Sequence, residues 1–204
     1  MNSLIASPLY MHRICVISDD LYYLIGFREA ISDKIDTFLF SNMEVCLERM
    51  NENKDSLFII SINALDDVRA LVDEISGKGI KTIMVYDIPC GRVYSHARFL
   101  SKRDTAEHIV RFLISVLFGP GKKLNTITAR QASIIRRLAT GQRQFFIAGD
   151  DHRSIKTISG IKKNITDKIG LKTMNDLSLL LADIIIRVSR NENNTEGHLY
   201  QWRE

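Results

Sequence analysis

Residues 13–31 read RICVIS-DD-LYYLIGFREAI. The first six are short, β-branched and apolar on both faces, the pattern of a strand buried in a parallel sheet. Two aspartates follow, and then a segment with apolar residues three and four apart, the period of a helix. Residues 57–62 (LFIISI) and 82–86 (TIMVY) repeat the strand pattern, and residues 43–50, 64–75 and 106–117 repeat the helical one. Strand–helix alternation predicts an α/β fold with a doubly wound parallel sheet, whose functional residues gather at the C-terminal ends of the strands.

Working outward, the charge divides the chain. Residues 1–120 hold 13 Lys+Arg against 16 Asp+Glu, and residues 121–204 hold 15 against 8, so the overall +4 conceals a front of −3 and a back of +7. A basic back half points to a polyanionic partner. The sign changes at Phe118-Gly119-Pro120-Gly121-Lys122-Lys123, a composition that cannot continue a helix. The expected division is a tail over 1–11, an α/β domain over 12–118, a linker over 119–125, a small all-α domain over 126–190 and a tail over 191–204.

Several classes drop out. The longest near-apolar stretch, residues 177–186, is interrupted by Ser178 and Asp183, whereas a membrane span needs roughly 20 apolar residues. The N-terminal MNSLIASPLYMHR has no basic segment before its apolar run, so no signal peptide is expected. Cys15, Cys46 and Cys90 form no CxxC pair, and they read as reduced, buried thiols of a cytoplasmic protein. His96, His108 and His152 share no ligand spacing, and no Ser/His/Asp, Cys/His or phosphate-loop arrangement appears. Neither an enzyme nor a resident cofactor or metal is expected.

After the linker the strands stop. Thr128-Ala129-Arg130-Gln131 is a capping box that opens a helix with Ile134, Ile135, Leu138 and Ala139 on one side, ending at Gly141. A short helix is predicted over residues 144–148. A third runs from the N-cap Ser154 to Ile169, with Ile155, Ile158, Ile161, Ile165 and Ile169 as one apolar stripe and Gly170 as the stop. Its other faces carry Lys156, Thr157, Ser159, Lys162, Lys163, Asn164 and Lys168. Asn175 caps a fourth helix, in which Leu177, Leu180, Leu181, Ile184 and Ile185 are expected inside and Leu179 and Ile186 flank the exposed side. Short helices with a turn between the second and third are the layout of a helix-turn-helix module, in which lysines meet phosphates and Thr, Ser and Asn can meet base edges.

The order of residues resembles the LuxR-type (NarL/FixJ-like) helix-turn-helix response regulator family over residues 127–185. Thr128-x-Arg130 with Gly141 is one anchor, and Lys156-Thr157-Ile158, Asn164-Ile165 and Lys168-Ile169-Gly170 form the other. The resemblance implies that Lys156, Thr157, Ser159, Lys162, Lys163 and Lys168 face double-stranded promoter DNA. There are departures. The family's apolar turn falls on Asp151-His152-Arg153, which predicts a more polar and looser turn. Ser159, Gly160 and Ile161 stand where relatives carry other residues, and a glycine inside a helix costs about 1 kcal/mol relative to alanine.

Such modules commonly follow a receiver domain, so the resemblance extends an expectation to the front half: two acids after the first strand, a phosphorylated Asp ending the third, Thr or Ser ending the fourth and Lys ending the fifth. Asp19, Asp20 and Lys102 are kept, but Ser61 stands at the acceptor position and Tyr86 at the fourth. Phosphoryl transfer needs a carboxylate nucleophile, so the front half reads as a degenerate receiver whose acids are relicts. Asp66 and Asp67 read as a solvated first helical turn, and the short stretch from Tyr86 to Lys102 predicts a trimmed fourth helix.

The resulting expectation is a bacterial DNA-binding transcriptional regulator, independent of phosphorylation, that reads promoters with the helix from Ser154 to Ile169. Its last helix would pair in a homodimer, or in a heterodimer with a related response regulator. The alternative is an interaction protein that heterodimerises with another response regulator and modulates it without base readout of its own.

Overall fold

The computed structural model describes residues 13–76, 78–87, 99–118, 127–171 and 174–191. The expected linker and N-terminal tail lie outside them, as do residues 192–204 of the expected C-terminal tail, Cys90 and His96, while Asn191 ends the last helix. Five strands, β1 (Ile14–Ser18), β2 (Asp36–Leu39), β3 (Leu57–Ser61), β4 (Lys81–Tyr86) and β5 (Phe99–Ser101), form one parallel sheet in the order β2-β1-β3-β4-β5. That is a doubly wound order with its switch point between β1 and β3. The helices α1 (Leu21–Ile31), α2 (Met43–Glu52), α3 (Leu65–Ile75) and α4 (Ala106–Phe118) complete the front half.

Alternation along the strands sorts the core into two layers. Ile14, Val16, Leu57, Ile59, Ile83 and Val85 pack with Leu24 and Phe27 of α1 and Phe112 and Leu113 of α4. Cys15, Ile17, Phe58, Ile60, Met84, Tyr86 and Phe99 face the other way, with Cys46 and Met50 of α2 and Val68, Leu71, Val72 and Ile75 of α3. Burial pushes the thiols of Cys15 and Cys46 up, to about 11 and about 12.

The back half consists of α5 (Ala129–Ala139), α6 (Gln144–Asp150), α7 (Ile155–Ile169) and α8 (Asp176–Asn191). The capping box at Thr128 forms in both directions with Gln131, and Asn175 Oδ1 accepts from the Ser178 backbone at 2.9 Å. Ile158, Ile165 and Ile169 bury the stripe of α7, but Ile155 protrudes at its first turn and Ile161 is half-buried.

α8 corrects one expectation. Leu179 and Ile186, read as flanking the exposed side, are 3% and 2% exposed, whereas Leu177 is 40% exposed. The reason is that the front half covers this helix. α8 packs against α3 and β4 as well as α5 and α7, and its apolar residues join the α2/α3 layer in a single cluster. Leu179 and Ile186 lie one turn to either side of Asp183 along the same helix face, and Asp183 lines the junction with Arg69 and Asp73 of α3. The trimmed fourth helix expected between Tyr86 and Lys102 falls on residues 88–98, which lie outside the described residues. A parallel sheet needs both faces covered, and α8 supplies the cover over β4. No helix of the described residues is long and apolar enough to cross a membrane.

Candidate nucleic-acid interface

The turn before α7 is built from charge. Asp151 ends α6, His152 takes a left-handed φ of 51°, and Arg153 N–H returns to the Ala148 carbonyl at 2.8 Å. With His152 N–H on the Gly149 carbonyl at 3.1 Å, this is a Schellman closure. Arg137 of α5 donates to Asp151 Oδ1 at 3.1 Å and pairs with Asp150, while Arg130 donates to the Asp151 carbonyl at 3.1 Å. The turn is polar, as expected, but it is held by two arginines rather than loose.

That turn fixes where α7 begins. The Ser154 hydroxyl caps it by accepting from Thr157 N–H at 3.0 Å, and the Ser154 and Thr157 hydroxyls also bond to each other at 2.9 Å. Gly170, at φ 88°, closes its far end. With the isoleucine stripe inside, Lys156, Ser159, Gly160, Lys163 and Asn164 are exposed, and Thr157, Lys162 and Lys168 are half-buried. The expected contact residues thus share one helix, though not all with free side chains. The Ser159 hydroxyl donates to Gln144 Oε1 of α6 at 2.7 Å, which ties it to the preceding helix. Beside Gln144, Phe145 and Phe146 stand exposed as an edge-to-face pair, a feature the apolar pattern of α6 did not flag. Among the described residues no element of the front half packs on α7 in the way that α3 and β4 pack on α8. The face carrying Lys156 and Lys163 is therefore open, a geometry that can place cations on phosphates.

At the other end of the chain, the five receiver-like positions are brought to the C-terminal edge of the sheet, with a serine where a receiver carries its acceptor carboxylate. Asp20 is the N-cap of α1, and its Oδ1 accepts from Tyr22 and Tyr23 N–H at 3.0 and 3.1 Å. Asp19 accepts at both oxygens from Asn63, whose Oδ1 in turn accepts from Lys102 Nζ at 3.0 Å. Lys102 Nζ also stands 5.2 Å from the centre of the Tyr23 ring. The Ser61 hydroxyl is fully buried on the α1/α4 side with no hydrogen-bond partner, and the Ser61 carbonyl accepts from Ser18 Oγ at 2.8 Å. Tyr86 is buried on the opposite side, stacked on Phe99 at 6.0 Å, and its burial pushes the phenol pKa up. Asp66 and Asp67 lie in the first turn of α3. Among the described residues no group of three or more His, Cys, Asp or Glu could hold a metal ion. Asn63 is the residue missed from the sequence, since nothing in its local pattern marks it as the partner of Asp19.

No protein-family model matches the chain, and no curated protein matches it. Solved structures do. The two-component response regulator RcsB in complex with DNA is 18% identical over 84% of this chain and 97% of its own, at a TM-score of 0.45. RcsB from Salmonella enterica serovar Typhimurium, bound to promoter rprA with the phosphomimetic BeF3-, is 18% identical over 85% and 99%, at 0.45. The response regulator ChrA of a heme-sensing two-component system is 14% identical over 86% and 98%, at 0.33. These are distant likenesses.

Proposed function

We propose that the chain is a bacterial, cytoplasmic, DNA-binding transcriptional regulator of the LuxR-type response-regulator family, with a degenerate receiver and no dependence on phosphorylation. The observation that carries this reading is α7, a helix anchored by buried isoleucines that leaves Lys156 and Lys163 exposed on a half of the chain with net charge +7. Anchored apolar stripe and open cationic face are what a recognition helix needs to sit against a duplex. The hydrogen-bonded Asp19–Asn63–Lys102 chain, with Ser61 at the acceptor position, supports a front half that takes no phosphoryl group. A homodimer, or a heterodimer with a related regulator, would place two such helices on two half-sites.

The test is binding to genomic promoter fragments across a salt series. Lys163→Ala is expected to weaken binding to every fragment and to lower the salt slope by about 1, because one phosphate contact is lost. Thr157→Ala is expected to change sequence preference more than salt slope. Parent-like binding by both variants, or no salt-dependent binding by the parent, rejects α7 as the reading element.

A further inference from the structure

Where the two halves meet, α3, α5 and α8 border a solvent-open cavity of about 250 Å³. Arg69 and Asp73 line it from the front half, and Arg136, Thr140, Asp183 and Arg187 from the back. Every lining residue is polar. Arg187 serves both carboxylates: it pairs with Asp73, and its Nε lies 3.2 Å from Asp183 Oδ2. That Nε is buried and makes no well-formed hydrogen bond. The other two arginines are less committed. The Arg69 guanidinium donates to the Ala139 carbonyl at 3.4 Å, the Arg136 guanidinium makes no direct hydrogen bond or ion pair with the described residues, and both pull on the Asp183 carboxylate through space. Two guanidinium groups, one from each half, thus face one cavity with donors to spare, and the lining carries one more cation than anion.

Asp183 and Asp73 offset two of the three guanidinium charges, and the cation left over favours a further anion in the cavity. Arginine forks match the oxygens of a phosphate in bidentate pairs, and several forks arriving from different helices suit a tetrahedral anion better than a planar one. We propose that this cavity binds a small phosphate-bearing anion, either free phosphate or a compact phosphomonoester, between Arg69 and Arg136. Because those two residues belong to different halves, the anion binds the closed arrangement only. It therefore stabilises that arrangement by mass action and keeps α8 covered. A front half without an acceptor carboxylate would in this way still receive a chemical signal. The proposal does not depend on whether α7 reads DNA, and its test contains no DNA.

Calorimetric titration and thermal unfolding of the full chain, at constant ionic strength, would use inorganic phosphate and glycerol 3-phosphate as probes. The expected result is one saturable site per chain and a midpoint that rises with probe concentration. Arg136→Gln and Arg69→Gln should each weaken binding at least tenfold while unfolding stays cooperative. Arg136 is exposed, so its variant tests the site without touching the core. Saturation by phosphate alone assigns the site to the free ion, and tighter binding of the ester assigns it to a phosphorylated metabolite. The proposal is overturned if neither probe saturates, if both arginine variants bind as the parent does, or if binding is lost instead on changing Lys162 and Lys163 of α7 to alanine.

Discussion

Asn63 donates from its backbone nitrogen to Asp19 Oδ2 at 2.8 Å and from its side-chain nitrogen to Asp19 Oδ1 at 2.9 Å. Each oxygen of the Asp19 carboxylate therefore accepts a hydrogen bond from Asn63, and Lys102 Nζ donates to Asn63 Oδ1. Incubation with acetyl phosphate and Mg²⁺ is expected to leave the intact mass unchanged, and Mg²⁺ alone to leave the unfolding midpoint unchanged. A stoichiometric gain of one phosphoryl group would refute this, because the buried Ser61 hydroxyl offers no carboxylate nucleophile.

Gly160 sits in the middle of α7 with open space where a Cβ would project. Nothing in the packing requires glycine there. Gly160→Ala should raise stability by about 0.5–1 kcal/mol, the usual difference in a helix interior. If glycine is kept for close approach of a nucleic-acid backbone, the same variant will bind DNA less tightly while unfolding at higher temperature. Chemical denaturation and a binding titration on one preparation separate the two effects. An alanine variant no more stable than the parent would show that the helix is strained in some other way.

The strands β1, β3 and β4, all four front helices, the capping box, the Ser154 and Asn175 caps and the Gly141 and Gly170 stops were legible because each is a local signal. β2 was not. It is a four-residue edge strand with no buried residue, so its sequence carries little apolar pattern. The covering of α8 was illegible for a different reason. Leu179 and Ile186 looked like surplus apolar surface on a small module, and their burial depends on a sheet face more than 90 residues upstream. The same holds for Asp19 with Asn63, 44 residues apart. Tertiary juxtaposition, unlike periodicity, leaves no trace in a window of neighbours.

Arg187 and Asp73 form the ion pair between the halves, and the two partners should not be equivalent under mutation. Asp73 is more than half exposed, so Asp73→Ala should cost less than about 1 kcal/mol. Arg187 also faces Asp183, whose side chain is only 5% exposed. Arg187→Ala strands that carboxylate and should cost several-fold more, about 3 kcal/mol. Urea denaturation of both variants checks the asymmetry. Equal losses would mean that Asp183 is served by Arg69 and Arg136 alone.

Asp183 also sets a pH dependence. Burial pushes its pKa above the ordinary aspartate range, and this outweighs the opposing pull of Arg187, Arg136 and Arg69. A carboxyl whose pKa is higher folded than unfolded binds its proton more tightly in the folded state. Its contribution to stability is therefore fully present below the unfolded pKa and is lost as pH rises through the folded one. Asp183→Asn removes this titration. Relative to the variant, the parent should lose stability on going upward from the ordinary aspartate range, and a difference that does not vary with pH there would contradict the assignment.

Self-association through α8 and the closed arrangement exclude each other, because Leu179 and Ile186 cannot pack on a second copy while they are buried against the front half. Changing either to Glu would place a charge in that core and is expected to destabilise the fold rather than merely prevent pairing. A cleaner perturbation is Asp73→Arg. Asp73 is exposed enough to be replaced without a cavity, and an arginine there would meet Arg69, Arg136 and Arg187 around one cavity. The repulsion should open the junction, uncover α8 and raise the dimer fraction in sedimentation at micromolar concentration, with the parent more monomeric under the same conditions. Restoring opposite charge with Arg187→Asp in the Asp73→Arg background should return the parent's behaviour in part, since Asp183 then lacks its partner. If the Asp73→Arg variant stays folded and sediments as the parent does, α8 is not a dimerisation surface that the front half masks, and any pairing in this chain must use another face.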